Sequence, residues 1–387
     1  MRVTIVGGGF AGVKAAIELA KRHVNVTLIS DHADFQYYPA LYGTATGRSH
    51  LQVWVPLGQI FAGFETVRVV IDRMVSLDSE RKIITGESGT DYSYTTLILA
   101  LGSVTTYFGI EGLDTYAYGI KSEAEIKRLK AHLAAEFMHA ETLDKHVVVI
   151  GAGPTGVELS SALGTYLNHL HRYYKVPQRK MSIDLVEAAP RVLPRMNEKT
   201  SQIVTRRLQK LGVTVEVGKT VNRQTTDELI VAGRPIKSRT VIWTSGTANH
   251  PFFAEHADIF TLAKNGRVIV DDQLRAAPHI YVIGDNASNP YGGLAQTALR
   301  DAGFVARNLT RRHPHAYTPK QPPVVVPVGE NWAVFEYKKL YLYGYVASLI
   351  RSVADVVGYH DILPIGQALG VWRSHKVYED DYFEPLG

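Results

Sequence analysis

A chain of 387 residues with 42 basic and 37 acidic side chains, a formal charge of +5 and an ordinary globular composition is long enough for two or three domains with buried cores. The basic residues are scattered rather than run together, which argues against a nucleic-acid partner and leaves a mildly basic surface that suits anionic lipid. There is no cysteine, so disulfides, thiolate metal sites, iron–sulfur ligation and thiol redox chemistry are excluded. Electrons that pass through this protein must travel on a bound cofactor.

The chain opens on MRVTIVGGGFAGVKAAIEL, a β-branched strand running into Gly7, Gly9 and Gly12 and then into a helix. No charged leader or small-residue cleavage site precedes the strand, so the protein is expected to stay in the cytoplasm. VNVTLIS reads as the next strand, followed by an aromatic loop and a β-rich meander that ends in a buried strand and Gly102. The helix-rich SEAEIKRLKAHLAAEFMHAETL leads into VVVIGAGPTGVELSSAL, a near copy of the opening with glycines at 151, 153 and 156. In each loop the first glycine makes the tight turn, the second admits backbone to a pyrophosphate, and the third lets helix and strand pack closely. The helix N-terminus then offers free N–H groups to the anion. Two such loops in one chain suggest two dinucleotides, a flavin and a nicotinamide.

Beyond the second loop, SIDLVE is a strand ending in Glu187, TSQIVTRRLQKLG a helix, VTVEVGKTV and ELIVAG strands, and TVIWTSG a strand returning to the first unit. RVIVDDQLRAAPHIYVIGDN resumes the first sheet and LAQTALRDAGFVARNLTRR is a helix. The expected fold is α/β: two Rossmann-like dinucleotide-binding domains, one inserted in the other, plus a C-terminal amphipathic helical tail. The boundaries expected are 1–114 and 247–313 for FAD, 115–246 for NADH, and 314–387 for a proline-rich linker and a membrane-docking segment.

The tail has 11 uncharged residues, Leu340 to Ile350, about 16 Å as a helix against a hydrocarbon core of about 30 Å, too short to span a bilayer. Tyr337, Tyr341, Tyr343, Tyr345, Trp332 and Trp372, flanked by Lys338, Lys339, Arg351 and Arg373, are what an in-plane interfacial segment presents. The alternative is a core cover or a homodimer interface. On the docking reading, a chain ended near Gly329 keeps its flavin.

The order of motifs resembles the type II NADH:quinone oxidoreductases over roughly the first 310 residues. PALYGTATG, with Pro39 and Leu41, is similar to that family's loop near the flavin. LILALGS, with Ala100 and Gly102, resembles its domain-crossing segment, and VIWTSG, ending in Gly246, its return strand. YVIGDNAS resembles the second flavin motif, in which the aspartate, here Asp285 after Gly284, holds the ribityl chain. LAQTALRDAG, with Ala295 and Gln296, resembles the helix bordering the quinone pocket. The chain departs from the pattern at the end of the second strand, where Ser30 replaces the ribose-binding acid and Asp31 follows, and at Arg300, which stands where a second glutamine is usual.

The resemblance implies FAD on Gly7, Gly9, Phe10, Ala11 and Gly12, and NADH on Gly151, Gly153, Pro154, Thr155, Gly156 and Glu187. It also implies an acid beside the flavin, Glu158, that orients nicotinamide or relays protons. Glu158 otherwise reads as a first-turn acid complementing its helix dipole. Gln296 would hydrogen-bond a quinone carbonyl, or lie on the helix surface. Asp285 also suits a helix N-cap. The activity implied is hydride transfer from NADH to FAD, then two electrons to a membrane quinone without proton pumping, at the cytoplasmic face of a membrane. A soluble NADH-dependent reductase or diaphorase and a non-turnover NADH-sensing flavoprotein are the competing classes. No His or acid cluster has ligand spacing, so no metal is expected.

Overall fold

The computed structural model describes residues 2–139, 143–177 and 181–379. Its larger sheet has six strands in the order Arg275–Ala277, Ile280–Val282, Thr96–Leu99, Arg2–Val6, Asn25–Ser30 and Val67–Ile71, antiparallel only at the first pair. Val3, Ile5, Leu28, Leu97, Ile98 and Leu99 are wholly buried, because layers cover both faces of the sheet. Helices Phe10–Ala20 and Ala295–Leu309 pack side by side on one face. The antiparallel meander Met74–Asp78, Ile83–Gly86, Asp91–Ser93 joins Phe252, Phe253 and Phe260 in a second apolar cluster with Val6, Ile29 and Leu99.

The second sheet is wholly parallel, in the order Val213–Val217, Ser182–Glu187, His146–Ile150, Thr240–Trp243. A three-stranded antiparallel sheet over Val221–Lys237 shares its apolar cluster. Where the chain passes between the two units, Ser103–Thr105 and Thr247–Asn249 pair antiparallel, so both crossings run as one ribbon.

The expected amphipathic helical tail is helical only in part. Val324–Pro327, Ala333–Tyr337 and Leu340–Gly344 form an antiparallel sheet, and only then do helices Tyr345–His360 and Ile365–Arg373 follow. Lys338 and Lys339 form a two-residue hairpin turn between paired Tyr337 and Leu340, with Lys338 at φ 53°. The strand ends at Gly344, whose φ of 85° releases the chain into the helix. The tail is also not an appendage: Val334, Tyr359, Ile362, Leu363 and Ala368 belong to the main core with Val3 and Val147. Truncation near Gly329 therefore opens that core and cannot isolate a docking function. Trp332 lies under the Arg207 guanidinium at 5.4 Å, and Trp372 packs partly buried against the core. Residues 380–387 of the expected tail lie outside the described residues.

Candidate active site

Both glycine loops have the same construction. At Gly7, φ 117°, a Cβ would come 2.1 Å from the Ala100 carbonyl oxygen, and at Gly12 one would come 1.9 Å from the Gly7 oxygen. At Gly151, φ 103°, a Cβ would lie 2.7 Å from Ser245 Cβ, and at Gly156 1.8 Å from the Gly151 oxygen. The middle glycines are the opposite case, since a Cβ on Gly9 or Gly153 would meet nothing within 4 Å. Packing thus forbids side chains at the outer positions, while the middle ones leave bare backbone to an approaching group. Gly9 and Gly153 are N-caps without side-chain caps, so the first N–H groups of helices Phe10–Ala20 and Pro154–Tyr173 have no capping side chain. An open backbone face at a helix N-terminus fits a dinucleotide pyrophosphate in both places.

Around the first cradle, Ala11 lies against Gly284, where a Cβ would sit 3.1 Å from Ala11 Cβ. Phe10 is buried edge-on to Phe35 at 4.9 Å. Asp285 stands on the short turn Gly284–Asn286 rather than at a helix N-cap, and its carboxylate accepts from Gly293 N at 3.0 Å and Ser103 Oγ at 3.4 Å. Its neighbour Asn286, absent from the sequence-level site, clasps the crossing segment: Gly102 N donates to its Oδ1 at 2.8 Å, and its Nδ2 donates to Gly102 O and Asn249 Oδ1, both at 2.7 Å. The signal available was its place directly after Gly284 and Asp285. Ser30 is spent on a local turn, donating to His32 O at 2.7 Å, whereas Asp31 is exposed. Gly246, at φ 68°, has no room for a Cβ beside the Thr106 oxygen, 2.2 Å away.

At the second cradle Glu187 ends its strand and accepts from Ala152 N at 2.6 Å and Ala189 N at 2.7 Å. Each carboxylate oxygen keeps acceptor capacity beyond those bonds. Arg191 donates instead to Met196 O, Pro194 O and Ser201 Oγ.

Glu158 is the fifth residue of helix Pro154–Tyr173, past its first turn, and its side chain is 10% exposed. The dipole account fails, because its partner is Arg351, 193 residues away: Nη1 donates to Glu158 Oε1 at 3.0 Å. Arg351 Nε reaches both oxygens of Asp355 at 2.9 Å, and Nη2 donates to Pro39 O at 2.7 Å in the Tyr38–Ala40 turn, just before buried Leu41. Arg351 is therefore no lipid-facing flank; its side chain is 11% exposed inside the fold. One cation between two carboxylates leaves a net negative charge unless one of them holds a proton. Burial raises the Glu158 carboxyl to about 7 against the pull of Arg351, with Asp355 adding to the rise. The tail helix is fixed there by Tyr359, stacked on Tyr37 at 4.0 Å and donating to Gln52 O at 2.6 Å. Gly358 is required, since a Cβ would sit 2.4 Å from the Tyr37 hydroxyl.

Gln296, second residue of helix Ala295–Leu309, is exposed beside partly buried Ala295, and its side chain makes no hydrogen bond among the described residues. Arg300 donates to Lys320 O at 2.7 Å in the proline-rich linker. Asp301 is fully buried, accepting from Gly284 N at 3.2 Å and Tyr317 OH, and burial raises it to about 6. Among the described residues no three acid or histidine side chains are grouped to hold a metal ion.

Pyridine nucleotide-disulphide oxidoreductases, as a family, match residues 1–302. The type II NADH:quinone oxidoreductase Ndh of Mycobacterium tuberculosis is 30% identical over 333 residues, 80% of this chain and 72% of that protein. This chain belongs to the type II NADH:quinone oxidoreductases. Another protein of that name from the same organism, NdhA, is 29% identical across 96% of this chain and 86% of its own length, so the relationship includes the tail. Among solved structures, NDH2 from Plasmodium falciparum in complex with NADH superposes with a TM-score of 0.86 over 99% of both chains, at 18% identity. The sulfide:quinone oxidoreductase from Aquifex aeolicus reaches 0.75 at 20% identity over 91% of this chain and 89% of that one. Both show the shared fold. Having no cysteine, this type II oxidoreductase lacks the disulfide chemistry in the wider family's name.

Proposed function

We propose that the chain is an NADH:quinone oxidoreductase that takes a hydride from NADH, holds the electron pair on FAD and delivers it to a membrane quinone, without pumping protons. The observation that carries the reading is the pair of identically built cradles in one chain. FAD, when bound, supplies a two-electron acceptor and donor between substrates that never meet. Residues 1–114 and 247–313 are assigned to FAD, with Asp285 on the ribityl chain and Asp31 rather than Ser30 nearest the ribose. Residues 115–246 are assigned to NADH, with Glu187 on the adenine ribose.

Oxidation of NADH by quinone consumes one proton from solvent, and Glu158 is the acid placed to supply it. A buried carboxyl raised to about 7 holds a proton near neutrality and can release it without a large penalty. Gln296 is assigned to a quinone carbonyl. The outer face of the tail helix is assigned to the cytoplasmic surface of a bilayer: Tyr345, Val346, Leu349, Val353 and Val357 are 62, 57, 49, 64 and 55% exposed. That stripe favours a quinone drawn from lipid over a soluble protein acceptor. No described helix is long and apolar enough to cross a membrane.

The deciding experiment is anaerobic stopped-flow of the two half-reactions. Gln296→Ala leaves bleaching of the flavin by NADH intact and slows reoxidation by quinone about tenfold, the worth of one hydrogen bond to a ligand. Equal loss of both halves means that Gln296 serves the helix only.

NADH is preferred over NADPH. A 2′-phosphate about 4 Å from Glu187 meets a repulsion of roughly 4 kcal/mol at an effective dielectric near 20, about a thousandfold in affinity. Arg191, tied to its own loop, does not offset it. Glu187→Ser narrows the ratio of kcat/KM for the two nucleotides; a wild type that prefers NADPH removes the ribose assignment.

A further inference from the structure

Between Arg311 and Gln321 the proline-rich linker is exposed at every residue except Tyr317. Its backbone is strapped down, since Tyr317 N donates to Asp272 O at 2.6 Å and His315 O accepts from Gln273 Nε2 at 2.8 Å and Asn308 Nδ2 at 2.7 Å. The strap turns one ring inward. That ring packs edge-on to Phe304 at 4.9 Å, and its hydroxyl donates to Asp301, a wholly buried carboxylate on helix Ala295–Leu309.

Asp301 holds both ends of the segment that presents Asp285. Its Oδ2 accepts from Gly284 N at 3.2 Å, and its Oδ1 accepts from Asn289 Nδ2 at 3.4 Å as well as from the Tyr317 hydroxyl. Asn289 Nδ2 also donates to Tyr317 OH at 3.2 Å, so the hydroxyl has an incoming donor and spends its own proton on the carboxylate. Every hydrogen-bond partner of the Asp301 side chain among the described residues is therefore a donor, which suits an ionised carboxylate. A proton on it would face no acceptor and would push a donor away. Burial raises this carboxyl to about 6 against the pull of the Tyr317 and Gly284 hydrogen bonds and of Arg300 on its own helix, with Asp285 on the turn adding to the rise.

We propose that Asp301 is a positioning residue of the flavin site: its carboxylate fixes both ends of the turn that aims Asp285 at the ribityl chain, and Tyr317 of the linker fixes the carboxylate. The linker is then part of the cofactor site and not only a connection to the tail. The grip lasts while Asp301 is ionised, so FAD is released faster as pH falls through about 6. This rests on the reading of Asp285 as the residue on the ribityl chain.

The test uses the full-length, FAD-loaded protein and follows release of FAD after dilution by the rise of its fluorescence, from pH 8 to pH 5. Wild type releases FAD about tenfold faster at the acid end, the worth of one hydrogen bond to a charged group. Asp301→Asn releases it that fast already at pH 8 and loses the pH step. Tyr317→Phe, which keeps the ring against Phe304, moves the midpoint of the step upward, because it removes a bond that favours the ionised form. In an Asp285→Asn background, Asp301→Asn adds less than it does in wild type, since the two act through one contact. An Asp301→Asn protein that keeps the wild-type rate and pH step, or whose effect adds in full to that of Asp285→Asn, overturns the proposal; a midpoint unmoved in Tyr317→Phe overturns the linker's part in it. If Asp285→Asn alone releases FAD at the wild-type rate, the ribityl reading falls instead, and the pH step judges the grip on the turn separately.

Discussion

Arg351→Ala is expected to destabilise the FAD-loaded protein by about 3–5 kcal/mol at pH 8 and by much less at pH 5, because it strips the cation from two carboxylates inside the fold. In the wild type Glu158 titrates near 7 rather than at its ordinary 4.5. Between those values the folded chain holds a proton that the unfolded chain has lost, so stability falls as pH rises through that window and levels off above it. Without Arg351 the folded pKa of Glu158 moves higher, the window widens towards alkaline pH, and the deficit grows with it. Melting curves at the two pH values check this. The alkaline limb of the quinone half-reaction should move upward in the same variant, since Glu158 then keeps its proton to higher pH. Arg351→Lys restores charge but not the fork that reaches Glu158, Asp355 and Pro39 O together, so it recovers only part of the loss. A pH profile unmoved in Arg351→Ala would mean that the guanidinium holds the tail helix in place without acting on Glu158.

The same cluster shows where sequence reading stops. The glycine loops were legible because a phosphate cradle is built from residues within one strand–turn–helix unit, and its spacing is the geometry. The positions of Glu187 and Asp285 were legible for a similar reason: an apolar strand run marks each, with Glu187 as its last residue and Asp285 on the turn just beyond it. Glu158 was visible as a residue but not as an environment. Its buried state depends on Arg351 from a segment 193 residues away, and no local pattern encodes that approach. In isolation Arg351 looked like a basic flank of an aromatic run, and position on the outside was the simplest reading. The run itself was ambiguous, since Leu340 to Ile350 is uncharged and satisfies a helix or a strand equally. Gly344 and the Lys338–Lys339 turn decide between them, and of the two only Gly344 was present in the sequence as a turn signal. Asn286 escaped because its value lies in clasping Gly102, 184 residues earlier.

The tail helix has two faces, and the second large effect separates them. Its inner face carries Arg351, Asp355 and Tyr359 against Glu158, Pro39 and Gln52, and its outer face presents Val346, Leu349 and Val353, each about half or more exposed. Replacing those three with serine leaves every inner contact in place, which truncation cannot do. Three half-exposed aliphatic side chains withdrawn from a lipid interface forfeit about 3 kcal/mol, roughly a hundredfold in partitioning. Binding to anionic liposomes should fall by about that factor, and turnover with a long-chain quinone presented in the bilayer should fall with it. Flavin content, NADH-driven bleaching and turnover with a short-chain, water-soluble quinone should hold, because none of these requires the bilayer. Lys338 and Lys339, exposed at the hairpin turn, add attraction to anionic headgroups, so raising salt should weaken what binding remains. If the triple variant sediments with liposomes as wild type does but changes from dimer to monomer, the stripe covers a second copy of the chain and the quinone must enter by another surface.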